Sequence, residues 1–309
     1  MLRFVFSAFV LFLAAQGCWA EERLLVERVP SRFLNAPRLV RIYLPLSYGQ
    51  RPARRYPVLY LHDGQNVYSS AGTNIAFGWG SWELDKTADE LCRAGKMKEI
   101  IMVAVDNSPA RYAEYCGATH GAGTGTNTPF ENYSAFLIQE LKPRIDEEFR
   151  TRRDAAGTGV MGSSMGGICS LVLGWDHPEV FGRAASLSGA LMVERTNFLT
   201  QVLMAYHGKP KPVRVYLDSG AVDFTGGDDG HVLTAAVARE LRRIGWGNEL
   251  LEYFDAKPLT QDQLRQMGLR RDKWAEAQTS QHNEFYWRLR VWRALTFLFP
   301  PERKQPPTP

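Results

Sequence analysis

Apolar positions along this chain follow two rhythms. Short apolar runs, the length of a buried strand, recur between longer stretches whose apolar residues return every three or four positions, the spacing of one helix face. The runs LVRIYLP (39–45), PVLYLHD (57–63), EIIMVAVDN (99–107), TGVMGS (158–163), RAASLSG (183–189), VRVYLDSG (213–220) and ELLEYFD (249–255) predict strands. Helices are predicted over 82–95, 131–149, 166–181 and 231–245, with a last one over 284–299. The stretch EIIMVAVDN does not alternate, which marks a strand covered on both faces.

Strands and helices taking turns in this way imply parallel strands joined by crossover helices. The fold class is therefore α/β, a mostly parallel central sheet with helices on both faces. No repeat and no glycine- or proline-rich linker interrupts the pattern, so one domain is expected over 21–300. KPLTQDQLRQMGLRRDKWAEAQ (257–278) reads as a helical insertion near the carboxyl edge of the sheet, and 301–309 as a disordered tail.

The amino terminus breaks the rhythm. Arg3 precedes an apolar or small run from Phe4 to Ala15, and CWA ends at Ala20 before Glu21 and Glu22. This is the layout of a signal peptide over 1–20, cut near Ala20, and it implies export to the periplasm or medium. The run is shorter than the ~20 residues that span a bilayer, so no stable membrane span is expected. Lipid attachment at Cys18 is a minor alternative, because Ala15 and Gln16 fit a lipoprotein signal poorly.

The 309 residues are 45% hydrophobic, enough for a sizeable core. A formal charge of +4 without a dense basic patch gives no reason to expect a nucleic-acid partner. Export would leave Cys92, Cys116 and Cys169, an odd number with no CxxC pair and no zinc spacing, and the serine chemistry read below calls for no metal or organic cofactor. Cys169 lies on an apolar helix face and reads as a core residue.

Ligands of α/β sheets bind at the carboxyl ends of strands, and one such end carries Gly162-Ser163-Ser164-Met165-Gly166. This matches G-x-S-x-G, a tight strand-to-helix turn that lifts the central serine, Ser164, above the sheet. Glycines at both ends leave room for the neighbouring backbone, and the following helix aims its positive end at the site. Serine needs a base to act as a nucleophile. Of six histidines, only His282 follows the last strand, where the order serine, acid, histidine puts the base. The acid belongs after the penultimate strand, among Asp218, Asp223, Asp228 and Asp229. Asp223 is favoured for its reach to a neighbouring loop. An oxyanion hole is expected from the amides of Met165 and of Gln65, the latter in the loop LHDGQN. Tyr68, Trp79, Trp82, Tyr112 and Tyr115 fall in loops that lead to the site, candidates for an aromatic substrate wall. Arg111 is a candidate partner for an acidic substrate group.

PVLYLHDGQNVYS, GSSMGG, HPEVFGRAASLSGA, DSGAVD and HNEFYWRLRVWRAL together resemble the esterase D-like branch of the α/β-hydrolases. The nearest part of that branch holds bacterial siderophore trilactone hydrolase-like proteins and predicted carbohydrate esterases. The resemblance runs in order from about residue 36 to 299, and HDGQN and HNE-x-x-W-x-x-R are its most specific motifs. It implies the α/β-hydrolase fold, Ser164 as nucleophile, His282 as base and the Asp of G-x-x-D, Asp223, as acid. Arg111, Glu114 and Tyr115 match the group's Arg-x-x-Glu-Tyr element, but Cys116-Gly117 replace its usual proline. The TGGDDG loop and the 257–278 insertion also depart from the group, and could move the acid to Asp228. The expectation is an exported serine esterase acting on a small, sugar or siderophore-type ester. Acyl transfer by the same triad and a non-catalytic binding protein are the rivals.

Overall fold

The structure is a computed structural model describing residues 23–116, 128–193 and 198–302. The leader, with Cys18 and Ala20, and residues 303–309 of the tail lie outside the described residues. Eight strands form one sheet: β1 (Leu24–Val29), β2 (Arg38–Tyr43), β3 (Val58–Leu61), β4 (Ile101–Val105), β5 (Thr158–Ser163), β6 (Arg183–Leu187), β7 (Arg214–Gly220) and β8 (Leu250–Asp255). Their spatial order is β1-β2-β4-β3-β5-β6-β7-β8. Strands β3 to β8 run parallel, and β2 is antiparallel to both β1 and β4.

This order fixes where a ligand can bind. Strands β3 and β5 are parallel neighbours, but the chain leaves β3 toward β4 on one side and β5 toward β6 on the other. The loops after β3 and β5 therefore part above the sheet, opening a crevice at a topological switch point. All of β3, β4 and β5 is buried, β3 and β4 as unbroken apolar runs and β5, TGVMGS, through its small residues around Val160 and Met161.

Helices Leu84–Arg93 and Glu284–Leu298 cover one face, sharing a core with Leu59, Met102 and Met161. Pro129–Ala135, Met165–Asp176 and His231–Ile244 cover the other, around Tyr60, Val103 and Val160. The predicted 131–149 helix begins at Pro129, capped by Thr128 and Glu131 in a reciprocal box. It then passes through a π-helical turn, Phe136–Leu141, into Lys142–Glu148. Strand β1 was not foreseen. Its sequence LLVERV sits at the sheet edge, where Glu27 and Arg28 can face water and Arg144 reaches Glu27 at 2.7 Å.

The 257–278 segment is helical in part, at Gln261–Gln266 and Trp274–Thr279. It packs against the 72–83 loop through a third core containing Trp79, Leu264, Leu269, Ala277, Phe285 and Tyr286. Arg270 Nη1 donates to Asn74 Oδ1 at 2.8 Å, and Lys273 lies 4.8 Å above the Trp79 ring.

Candidate active site

Ser164 sits between β5 and the helix Met165–Asp176 with φ 53° and ψ −121°, a conformation that a non-glycine residue holds only under strain. Two backbone bonds over-determine it: Ser164 N donates to Leu187 O at 3.0 Å, and its carbonyl accepts from Ala190 N at 2.9 Å. The turn requires glycine on both sides. A Cβ on Gly162 would lie 2.6 Å from the Gly166 backbone, and one on Gly166 would lie 3.0 Å from His62 Cβ.

His282 is carried by the loop entering the last helix. Asn283 caps that helix by accepting from Tyr286 N at 3.1 Å, and donates to Ser280 O at 3.2 Å. Gln281 N donates to Val222 O at 2.7 Å, and the Gln281 side chain accepts from Ala221 N. These bonds tie the histidine loop to the end of β7. His282 Nε2 lies 2.9 Å from Ser164 Oγ, so Ser164 rather than Ser163 meets the histidine.

Asp229, not Asp223, stands behind the imidazole. Its Oδ1 lies 2.6 Å from His282 Nδ1, and its Oδ2 accepts from Gly220 N at 2.6 Å and Ser188 Oγ at 2.6 Å. The loop from Ala221 to Asp229 closes on itself, with Asp223 N donating to Gly227 O and Asp229 N to Ala221 O. Its last residue is thereby returned to the strand end. Gly220 permits the approach, because a Cβ there would meet Asp229 Oδ2 at 2.7 Å. The expected reach of Asp223 is spent within the loop. Its carboxylate accepts from Thr225 N, Thr225 Oγ1 and Gly227 N. Slight burial acts to raise its pKa, but those donors outweigh it and hold the carboxyl below the usual range. Asp228 accepts from His231 N and Val232 N at the start of the next helix. Asp218 accepts from Ser188 N and Tyr216 Oη.

The loop after β3 is fitted against β4. A Cβ on Gly64 would lie 2.7 Å from the Ala104 carbonyl carbon, and Gln65 Oε1 accepts from Asn107 N at 3.1 Å. Asp63, at φ 56°, opens this loop. Arg111 holds the Asp63 carboxylate with Nε and Nη2 at 2.6 and 2.7 Å, and Asn107 Nδ2 donates to it at 2.6 Å. Burial works against the Arg111 charge, but the carboxylate outweighs it and raises the guanidinium pKa. Those donors shape the loop, and Arg111 and Asn107 also line the cavity above Ser164. Tyr115 is fully buried, and its hydroxyl accepts from Asp63 N at 3.3 Å. It supports the loop from beneath and is no part of a substrate wall. Tyr68 is likewise a core residue, donating to Met102 O.

A cavity of about 780 Å³ opens above Ser164, with Gln65 and Met165 both in its lining. Trp79 and Trp82 line it. Phe77, Phe224 and Trp287 also line it, and the sequence reading missed all three. Phe224 and Trp287 flank His282 at centroid distances of 5.7 and 5.1 Å, each steeply inclined to the imidazole. Trp287 stood in the HNE-x-x-W-x-x-R motif, and Phe77 and Phe224 each lie within two residues of a residue already singled out. Glu284 lines the cavity too and accepts from Asn66 Nδ2 at 3.0 Å. Burial lifts its carboxyl to about 7. His62, buried beneath the turn with Nδ1 2.9 Å from Tyr133 Oη, is held near 4 by the same effect and stays neutral. Cys169 is buried in the core as expected.

A family model described as "Putative esterase" matches residues 31–296. The endo-1,4-beta-xylanase/feruloyl esterase of Xylanibacter ruminicola is 32% identical over 161 residues, which are 48% of this chain and 19% of that protein. A solved ferulic acid esterase superposes with TM-score 0.62 at 18% identity, covering 89% of this chain and 97% of that one. The enterobactin esterase of Shigella flexneri gives TM-score 0.63 at 19% identity, over 90% of this chain and 59% of that one. These likenesses show a shared α/β-hydrolase fold. Among the described residues, no helix is long and apolar enough to cross a membrane.

Proposed function

The chain belongs to the esterase family, and from that premise we propose that it is an exported serine hydrolase of carboxylic esters with Ser164, His282 and Asp229 as its triad. The observation that carries this reading is the unbroken contact chain from Ser164 Oγ through the imidazole to a buried carboxylate, at 2.9 and 2.6 Å. Asp229 keeps the proton on Nδ1, which leaves Nε2 to take the proton of Ser164 as Oγ attacks the ester carbonyl. The developing oxyanion forms beside the Met165 and Gln65 amides, at the positive end of the helix that starts at Met165. His282 then protonates the departing alcohol. Water, deprotonated by the same imidazole, releases the acyl group from Ser164.

The substrate we propose is an ester with an aromatic acyl group. Support comes from the rings of Trp82, Trp287, Phe77, Trp79 and Phe224 around the cavity, and its volume accommodates one such group with part of its alcohol. The likeness to a ferulic acid esterase agrees with this choice. Export rests on the leader sequence.

A panel of p-nitrophenyl, feruloyl, acetyl-sugar and siderophore-type esters, with wild type beside Ser164→Ala, tests the reading. Wild type is expected to favour the feruloyl ester and to label with a fluorophosphonate, and Ser164→Ala to do neither. Equal turnover by Ser164→Ala would end the proposal. An arm with added acceptor alcohols separates hydrolysis from acyl transfer.

A further inference from the structure

We propose that Ser188 is the positioning residue of the acid, and that Trp287 and Arg290 act through it to hold Asp229 on His282. This rests on the triad proposed above and deepens it. It also gives a role to the two distal members of the HNE-x-x-W-x-x-R motif, where His282 is the first and Trp287 and Arg290 are the fifth and eighth residues beyond it.

Ser188 follows β6 at φ 43°, in the left-handed region that non-glycine residues seldom occupy. Its Oγ makes three contacts. Trp287 Nε1 donates to it at 3.2 Å, Arg290 Nη2 donates to it, and Asp229 Oδ2 lies 2.6 Å away. An indole N–H and a guanidinium can only donate, and a serine hydroxyl has one proton and two lone pairs. With both lone pairs taken, the proton has one destination, Asp229 Oδ2. The hydroxyl is thus locked as a donor to the carboxylate. Gly220 N supplies a second donor to the same oxygen at 2.6 Å, so the carboxylate cannot swing and Oδ1 is left for His282.

Arg290 is itself flanked by two carboxylates. Its Nε lies 3.1 Å from Asp218 Oδ1 and its Nη2 lies 3.8 Å from Asp229 Oδ2, and both carboxylates are fully buried. Trp287 and Arg290 are three residues apart and share one face of the last helix, and His282 sits just ahead of that helix's cap. Base and acid clamp therefore ride on a single rigid element.

The test compares Ser188→Ala with Ser188→Gly. Both remove the hydroxyl, but glycine accepts φ 43° without strain and so keeps the fold even where alanine weakens it. Both variants are expected to lower kcat on a p-nitrophenyl ester by about 10- to 100-fold with KM within about twofold. The downfield proton resonance of His282 Nδ1, read by NMR in the free enzyme, is expected to shift or broaden in both. A folded Ser188→Gly with wild-type kcat and an unshifted resonance would overturn the proposal, since a purely structural serine predicts that result. Failure of wild type to hydrolyse any ester would count against the proposed function instead. In that case the resonance, which needs no substrate, still decides the role of Ser188.

Discussion

Asp229 Oδ1 lies 2.6 Å from His282 Nδ1, and the carboxylate behind that contact is fully buried. An acid so placed fixes the imidazole tautomer and faces the positive charge formed in turnover. Asp229→Asn is therefore expected to lower kcat by on the order of 10⁴-fold while the protein stays folded. Asp223→Asn, which disturbs only its own loop, is expected to stay within about threefold of wild type. Steady-state kinetics of the two variants decide between them, and the opposite order would return the acid to Asp223.

The strained backbone of Ser164 gives a prediction about stability. Ser164→Ala keeps φ 53° and ψ −121° on a residue with a Cβ, whereas Ser164→Gly does not. Both are expected to be inactive, and the glycine variant to be the more stable by about 1 kcal/mol. Thermal unfolding checks this. An alanine variant as stable as the glycine variant would mean the turn stores no strain.

Glu284 makes stability depend on pH. Burial lifts its carboxyl from an ordinary 4.5 to about 7, so between those values the folded protein keeps a proton that the unfolded chain releases. Its contribution is complete below the unfolded value and is lost as pH rises through 7. Glu284→Gln is expected to remove this part of the decline in Tm between about pH 5 and pH 8. A slope identical to wild type would contradict the assignment.

Phe77 is 92% exposed at φ 58°, yet its ring lines the cavity. Little of its surface is buried by the protein, so Phe77→Ala is expected to change stability by only about 0.5 kcal/mol. If the ring serves an aromatic acyl group, the same variant raises KM for a feruloyl ester several-fold and leaves an acetyl ester unaffected. Parallel kinetics on the two esters provide the check.

The sheet was legible because its central strands are buried on both faces and announce themselves as unbroken apolar runs. Strand β1 was not, because at an edge Glu27 and Arg28 dilute the pattern. Ser164 and His282 were legible because chain order and a glycine turn locate them. Asp229 was not, because the Ala221–Asp229 loop doubles back, and distance along the sequence then misjudges distance in space. Arg111 and Tyr115 belong to a recognisable motif, but sequence does not show that Arg111 faces Asp63 or that Tyr115 lies beneath it. Phe77 and Phe224 carry no periodic signal, since each sits in a loop whose shape is set by tertiary contacts.

The roof of the cavity has a hydrophobic centre of its own, in which Trp79 meets Leu264, Leu269, Ala277, Phe285 and Tyr286. The sheet rests on two other cores, whereas Phe285 and Tyr286 join the roof to the helix that follows His282. Roof residues other than Phe285 and Tyr286 can therefore change without loosening the sheet, and under the proposed function such changes would retune acyl-group preference while Ser164, His282 and Asp229 keep their contacts. Laboratory evolution of this chain toward a new ester would have its natural starting library in 72–83 and 257–279.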